Sequence, residues 1–417
     1  MKLLKKYWLP IFLLIVFLGM LLRFYKINDV QSFGWDQARD AWLTRDIIQG
    51  KWVLNGPRTG VGHFHLGPLW YYLLVPFYLL TGLDPVAANH LNFIVNLFNF
   101  AAIFWVTKKI LDDRAALFTI FFYATNKYLI ELNRVAWNVS PVPGVAAIIF
   151  YCLYKIVYEN KYKYIFLLSF LSGLFFHLHF SVIFLPFIFL FSFALVKEKL
   201  RILKLSLLSL PLALVWLIPE IMYELNTKNT NINLFSNFLK DYFIDGFHLR
   251  FFIHRLYDGF IQFETLLSLP KINRYLVLVV PAIYVLFVVY DKNRKQRTLG
   301  YLTMLWFLVP AVGYSFYSGA TSEYYMLMSS MLVIYIVYYL FQKVVSQKNI
   351  ILTLLSVIVL AGFTYGQVQK VVTKRIEGGL NKQKDEIREK IKNNNKVGYN
   401  EGDIQAYLWQ IWVEDKK

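Results

Sequence analysis

Residues 164–196, YIFLLSFLSGLFFHLHFSVIFLPFIFLFSFALV, contain no Asp, Glu, Lys or Arg. At 1.5 Å per residue a single helix of this length would far overrun the roughly 30 Å of hydrocarbon in a bilayer. The run is interrupted in the middle by His177-Leu178-His179-Phe180-Ser181, so it reads as a hairpin of two crossings with a polar tip. The bilayer is the solvent of this chain.

Composition agrees: 57% of residues are hydrophobic and 18% aromatic, and mean hydropathy is +0.45, outside the balance of soluble domains. Apolar runs long enough for spans recur at Trp8–Leu22, Val86–Thr107, Ala115–Thr125, Val139–Tyr154, Tyr164–His177, Ser181–Val196, Leu205–Pro219, Tyr275–Tyr290, Leu299–Phe316, Tyr324–Phe341 and Ile350–Gly366. The expected fold is an all-α polytopic bundle of about 11 transmembrane helices over residues 1–366, followed by a charged tail, 367–417.

Short loops rich in Lys and Arg stay in the cytoplasm. Alternate connections carry such residues, among them Lys2/Lys5/Lys6, Lys108/Lys109/Arg114, Lys197/Lys199/Arg201/Lys204 and Lys292/Arg294/Lys295/Arg297. The amino terminus is therefore expected inside, and the loop 23–66, the loop 223–274 and the tail outside. The basic residues of the tail pull the other way, but the earlier loops and the odd number of spans outweigh them. The formal net charge of +18 suits anionic lipid headgroups and does not call for nucleic acid. A single cysteine, Cys152, lies within a span and excludes a disulfide framework.

The first outer loop carries Gly34-Trp35-Asp36-Gln37-Ala38-Arg39-Asp40. From Trp35 to Gln49 the sequence suits a short helix at the membrane surface, ending before Gly50. On it Asp36, Arg39 and Asp40 share one arc. In the second span Asn89, Asn92, Asn96 and Asn99 recur at steps of three and four, on a face that serves either as interhelical glue or as a cavity wall. Asp84-Pro85 is a start signal for that helix.

With these pieces in place, the chain resembles glycosyltransferase family 39, the protein mannosyltransferase and aminoarabinose transferase group, whose multi-span fold is called GT-C. The matching segments are Asp36-Gln37-Ala38-Arg39-Asp40-Ala41, His65-Leu66-Gly67-Pro68-Leu69-Trp70-Tyr71-Tyr72, Arg134-Val135-Ala136-Trp137-Asn138, His177-Leu178-His179 and Tyr324-Tyr325. Two positions depart from the family pattern: Gln37 stands where a second acid is usual, and Glu323 where an Arg is common. The outer loops leave no room for the large insert of eukaryotic members, so a prokaryotic member is implied.

The resemblance implies transfer of a sugar from a polyprenyl-phosphate donor to an acceptor, whether lipid, glycan or protein, at the outer face of the plasma membrane. Such a displacement needs a base for the acceptor hydroxyl and cations for the departing phosphate. Asp36 is the expected base, and a capping Asp paired with Arg39 is the plainer alternative. Gln37, Arg39, Asp40, His65, Arg134, Asn138, His179 and Tyr324 are the expected substrate contacts, with Arg134 the phosphate candidate or, more plainly, a snorkelling cation. His63/His65 and His177/His179 have a His-x-His spacing without a third clustered ligand. The reading therefore requires no cofactor and leaves a divalent metal open. A lipid-linked-glycan transporter or flippase, or a polysaccharide polymerase or ligase, would share much of this composition, but no internal repeat favours transport.

Overall fold

The computed structural model describes residues 2–60, 62–241, 248–267, 276–317, 322–329, 338–339, 342–343, 346, 349–373, 378–393 and 406–408. Among these there is no β-strand, only an isolated bridge between Arg58 and His65. The helices are α1 Lys2–Phe24, α2 Ile27–Val30, α3 Trp35–Ile48, α4 Leu69–Leu80, α5 Val86–Ile110, α6 Asp113–Thr125, α7 Lys127–Arg134, α8 Val142–Val157, α9 Tyr164–Phe176 and α10 Leu185–Phe193. There follow α11 Lys199–Leu214, α12 Ile218–Thr227, α13 Thr230–Leu239, α14 Leu249–Leu267, α15 Leu276–Tyr290, α16 Arg294–Ser315, α17 Ile350–Val372 and α18 Leu380–Lys392.

Five helical stretches among the described residues are long and apolar enough to cross a membrane: Tyr7–Val30, Val86–Ile110, Lys199–Thr227, Arg294–Ser315 and Ile350–Val372. Helices α8, α9 and α10 are shorter and apolar. The expected hairpin is present: α9 stops at Phe176, a 3-10 turn runs Phe180–Phe184, and α10 returns. Most of the expected span Tyr324–Phe341 lies outside the described residues, and its start is a 3-10 segment, Glu323–Ser329.

The asparagine face of α5 is glue. Asn92, Asn96 and Asn99 are fully buried. Asn92 and Asn96 donate to the Asn133 carbonyl at 2.8 and 3.2 Å. Asn99 donates to Ser140 O at 2.8 Å and accepts from Gly144 N at 3.0 Å. These bonds fix the 133–144 segment, which borders the site, onto a rigid span; in a bilayer each contributes about 0.6 kcal/mol. Asp84 caps the same helix, accepting from Val86 N at 2.9 Å.

Arg23, expected at the start of the outer loop, is instead fully buried. It donates to the carbonyls of Gly19, Ala124 and Tyr123 at 3.0, 3.1 and 2.8 Å and so binds the end of α1 to the end of α6. The segment 223–274, expected as an outer loop, also differs among its described residues. It contains α13 and α14, and α14 lies on α16 through Phe252 on Phe316 and Phe260 on Phe307, at ring separations of 4.9 and 5.4 Å. Arg250, Arg255 and Asp258 on its other faces hid that apolar stripe in the sequence.

The tail folds back onto the first loop. Leu380, Ile387, Tyr407 and Leu408 share a buried cluster with Phe33, Ala38, Ala41, Trp70 and Tyr71. Lys384 pairs with Asp84, and the Tyr407 hydroxyl donates to Leu83 O at 3.0 Å.

Candidate active site

Helix α3 begins where Gly34 takes an extended conformation and ends just before Gly50, whose φ of +86° is left-handed. Ala38 and Ala41 are fully buried against Trp70, Tyr71 and Leu74 of α4, and Asp36 stays half exposed at the first turn. There the helix dipole favours a carboxylate by about 0.3–1 kcal/mol. Gln37 accepts the Gly34 N–H at 3.0 Å and donates to Ala136 O at 3.2 Å, which moors this turn to the segment before α8.

Arg39 holds both acids of the arc. Its Nη1 donates to Asp36 Oδ1 at 2.7 Å, while Nη2 and Nε reach Asp40 Oδ1 at 2.7 and 3.0 Å. The two carboxylates are in unlike surroundings: the Asp36 side chain is 52% exposed and that of Asp40 2%. Burial raises the Asp40 carboxyl to about 6 despite the pull of Arg39. Burial alone would lower Arg39, but Asp40, Tyr71 and Asp36 together raise it. Asp40 thus anchors Arg39, and Arg39 orients Asp36.

Facing this turn is the loop 56–67, a narrow turn closed by Gly56 N to Leu66 O at 2.6 Å and Thr59 N to Phe64 O at 2.8 Å. Two glycines make the closure sterically feasible. A Cβ on Gly56 would stand 2.0 Å from Gly67 O, and one on Gly67 would stand 2.1 Å from the ring of His177. His177 accepts from Leu69 N at 3.2 Å and donates through Nε2 to Trp216 O at 2.8 Å, locking the loop to the hairpin tip.

Asp36, Arg39, Pro57, Arg58, Thr59, Gly60, Leu66, Trp137, Asn138, Val139, His179, Phe180, Tyr324 and Tyr325 line an open cleft. Asn138 donates to Leu178 O at 2.7 Å, bringing the α8 entry against the hairpin tip. His179 Nδ1 accepts the Ser181 N–H at 3.1 Å and lies 2.7 Å from the Ser181 hydroxyl. A ring nitrogen that accepts an amide N–H carries no proton, so the neutral imidazole bears its hydrogen on Nε2. Burial pushes His179 down to about 3, which keeps it neutral. Tyr324 packs on Trp137, Tyr325 and His179 at ring separations of 4.9, 4.8 and 5.8 Å.

Of the expected site residues, Asp36, Arg39, Asn138, His179 and Tyr324 line the cleft. Gln37 and Asp40 lie behind it and support the first two. His65 is absent from the lining: its Nδ1 is 3.0 Å from Gly56 O, its N–H donates to Asn231 at 2.5 Å, and burial lowers its pKa. Arg134 is also absent, being 6% exposed, donating to Leu22 O at 2.7 Å and lowered in pKa by burial. Arg58, which is not among the expected site residues, also borders the cleft and donates through Nε to His63 O at 2.9 Å.

A second hollow, apolar and about 750 Å³, lies between α10 and α16 and is lined by Phe184, Phe187, Phe191, Leu305, Val309 and Val312 among others. Phe184 of this groove and Phe180 of the cleft are 6.5 Å apart, ring to ring.

The family model for dolichyl-phosphate-mannose-protein mannosyltransferase matches residues 65–223, which carry Asn138 and His179 and stop short of α3. No curated protein sequence matches the chain. ArnT from Cupriavidus metallidurans bound to undecaprenyl phosphate is similar over 96% of this chain and 75% of its own, with a TM-score of 0.55 and 14% identity. The apo oligosaccharyltransferase of Archaeoglobus fulgidus is similar over 99% of this chain and 60% of its own, with a TM-score of 0.54 and 12% identity. At such identities the structural likeness is one of fold. The chain thus shares the fold of these membrane glycosyltransferases, and its segment 65–223 is similar to the mannosyltransferase family.

Proposed function

We propose that the protein transfers a sugar from a polyprenyl-phosphate carrier to an acceptor at the outer face of the plasma membrane, with Asp36 as general base of an inverting displacement. The observation that carries this reading is the half-exposed Asp36 carboxylate at the rim of a cleft that also presents Arg58, Asn138 and His179. The acceptor hydroxyl gives its proton to Asp36 as its oxygen bonds to the anomeric carbon. The bond from that carbon to the carrier's phosphate oxygen breaks, and the polyprenyl phosphate leaves with the electron pair. Arg39 keeps Asp36 aimed, while Arg58 and the His179 Nε2–H are donors for the phosphate oxygens.

The fold shared with ArnT, whose structure holds undecaprenyl phosphate, supports the carrier. So does the apolar groove beside Phe184, which offers a polyprenyl chain a berth next to the cleft. The outward placement rests on the basic loops at the opposite ends of the spans.

Mass spectrometry of membrane lipids and cell-surface glycans, with and without the protein, identifies the product. Asp36→Asn is expected to abolish that product while the protein inserts in normal amount, and normal product from this variant overturns the assignment of the base. Because the single native cysteine, Cys152, is buried, a Lys51→Cys variant can report sidedness. It is expected to react with an impermeant thiol reagent in intact cells, and protection until lysis places the site inside.

A further inference from the structure

We infer that Gln383, in the tail, is a positioning residue for Asp36: its amide grips the peptide groups of Phe33 and thereby fixes the first turn of α3 against the cleft. This rests on Asp36 being the base. Phe33 immediately precedes the cap residue Gly34, and it is buried at 3% exposure. Its N–H donates to Gln383 Oε1 at 2.7 Å and its carbonyl accepts from Gln383 Nε2 at 3.0 Å. One side chain thus satisfies both peptide groups of a residue with little access to water, where an unmet donor or acceptor is costly.

The neighbouring N–H, that of Gly34, goes to Gln37. Two glutamines therefore meet the peptide groups of Phe33 and the N–H of Gly34, one from the tail and one from the helix itself. Gln37 then ties the turn to Ala136, next to the cleft-lining Trp137 and Asn138. Asp36 lies three residues beyond Phe33, too close in chain for the entry to shift without moving the carboxylate.

The surrounding contacts show that the tail docks here in a defined register. Leu380 N donates to Gln31 O at 2.9 Å, and Asn381 donates to Asp29 Oδ1 at 2.7 Å. A Cβ on Gly379 would strike the Asp29 backbone at 2.2 Å. Tyr407 packs on Phe33 and Trp42 at ring separations of 5.7 and 5.1 Å. Of these side chains Gln383 alone holds both peptide groups at the helix entry. A mere lid or anchor would have no need to meet both.

The test uses the full chain reconstituted in lipid vesicles with a polyprenyl-phosphate sugar donor and compares Gln383→Ala, Gln383→Glu and Lys382→Ala with the unaltered protein and Asp36→Asn. Lys382 lies on the same helix with its side chain 66% exposed and serves as the control. Gln383→Ala is expected to lower kcat by about tenfold to a hundredfold, the range a misplacement of about 1 Å produces, with the donor KM unchanged. Gln383→Glu keeps the acceptor for Phe33 N–H but not the donor for its carbonyl, and should fall between. Hydrogen exchange at residues 33–40 should quicken in both.

If folded Gln383→Ala turns over like the Lys382→Ala control while Asp36→Asn is inactive, the positioning role is wrong and the base assignment stands. If Asp36→Asn is active, the base assignment falls and this inference with it. Should Gln383→Ala not fold, Gln383→Glu decides by the same kcat comparison.

Discussion

Gln37 donates its side-chain amide to Ala136 O at 3.2 Å while the oxygen of the same group accepts the Gly34 N–H at 3.0 Å. Only an amide can do both. A Glu, the acid usual at this position in the family the sequence resembles, could cap Gly34 but would set a carboxylate against a carbonyl. Gln37→Glu is therefore expected to loosen the mooring rather than supply a second base. Lost hydrogen bonding should cost on the order of 1–2 kcal/mol of stability, and kcat should drop about tenfold with donor KM preserved. Steady-state kinetics beside a thermal melt measure both; a rise in kcat would show that position 37 takes part in proton transfer.

Asp40 ties stability to pH in an unusual direction for a carboxylate. Its value is about 6 in the folded chain against an ordinary 3.8, with burial the cause. The folded state then holds the extra proton between those values, so stability present below pH 3.8 is lost as pH rises through 6. The loss is on the order of 3 kcal/mol. Above pH 6 the contribution is flat. Asp40→Asn should remove this slope from melts taken between pH 4 and 7. In the unaltered protein, protonating Asp40 frees Arg39 to clamp Asp36 alone, so kcat should fall on the acid side with an inflection near 6, and Asp40→Asn should lack that inflection.

Much of this architecture was legible because it depends on local periodicity. Gly50 marks the end of α3 because the next conformation has positive φ, and the steps of Asn92, Asn96 and Asn99 gave their common face. What those amides bind was not legible, since Asn133 O and Ser140 O are backbone groups brought in from the end of α7 and the turn after it. The place of Arg58 at the cleft was not legible for a similar reason: loop 56–67 takes its shape from Gly56 meeting Gly67 and from Gly67 meeting His177, contacts that no spacing reveals. Arg134 shows the converse. Its place ahead of α8 suggested a phosphate ligand, yet Leu22 O turns it towards α1. The clasp of Gln383 on Phe33 joins residues 350 apart and leaves no local trace.

Arg58 and Arg134 give opposite expectations when each is changed to Ala. Arg58 borders the cleft and is itself exposed, so its loss should raise the donor KM about tenfold, the effect of one charge-assisted hydrogen bond of roughly 1.5 kcal/mol or more, and leave the melt in place. Arg134 is buried against α1, outside the lining, so its loss should shift the melt and leave donor KM unchanged. Donor titrations on the two variants separate these cases. A donor defect in Arg134→Ala with an intact Arg58→Ala would reverse the assignment of the phosphate-facing cation.

His179 divides its two nitrogens between structure and cleft, and two amides can imitate one nitrogen each. Asn at 179 places an acceptor where Nδ1 now takes the Ser181 N–H, so the hairpin tip should stay folded, but no donor reaches the cleft. Gln extends an amide nitrogen towards the Nε2 position and leaves Ser181 uncapped. His179→Asn is therefore expected to keep its melting temperature and lose about a hundredfold in kcat, the scale of a preorganised donor to developing charge. His179→Gln should melt lower and keep kcat within severalfold. Since burial holds the imidazole near 3, the pH–rate profile of the unaltered protein should carry no inflection assignable to this ring at neutral pH. Equal kcat in the two variants would mean that the Nε2 hydrogen has no part in the reaction.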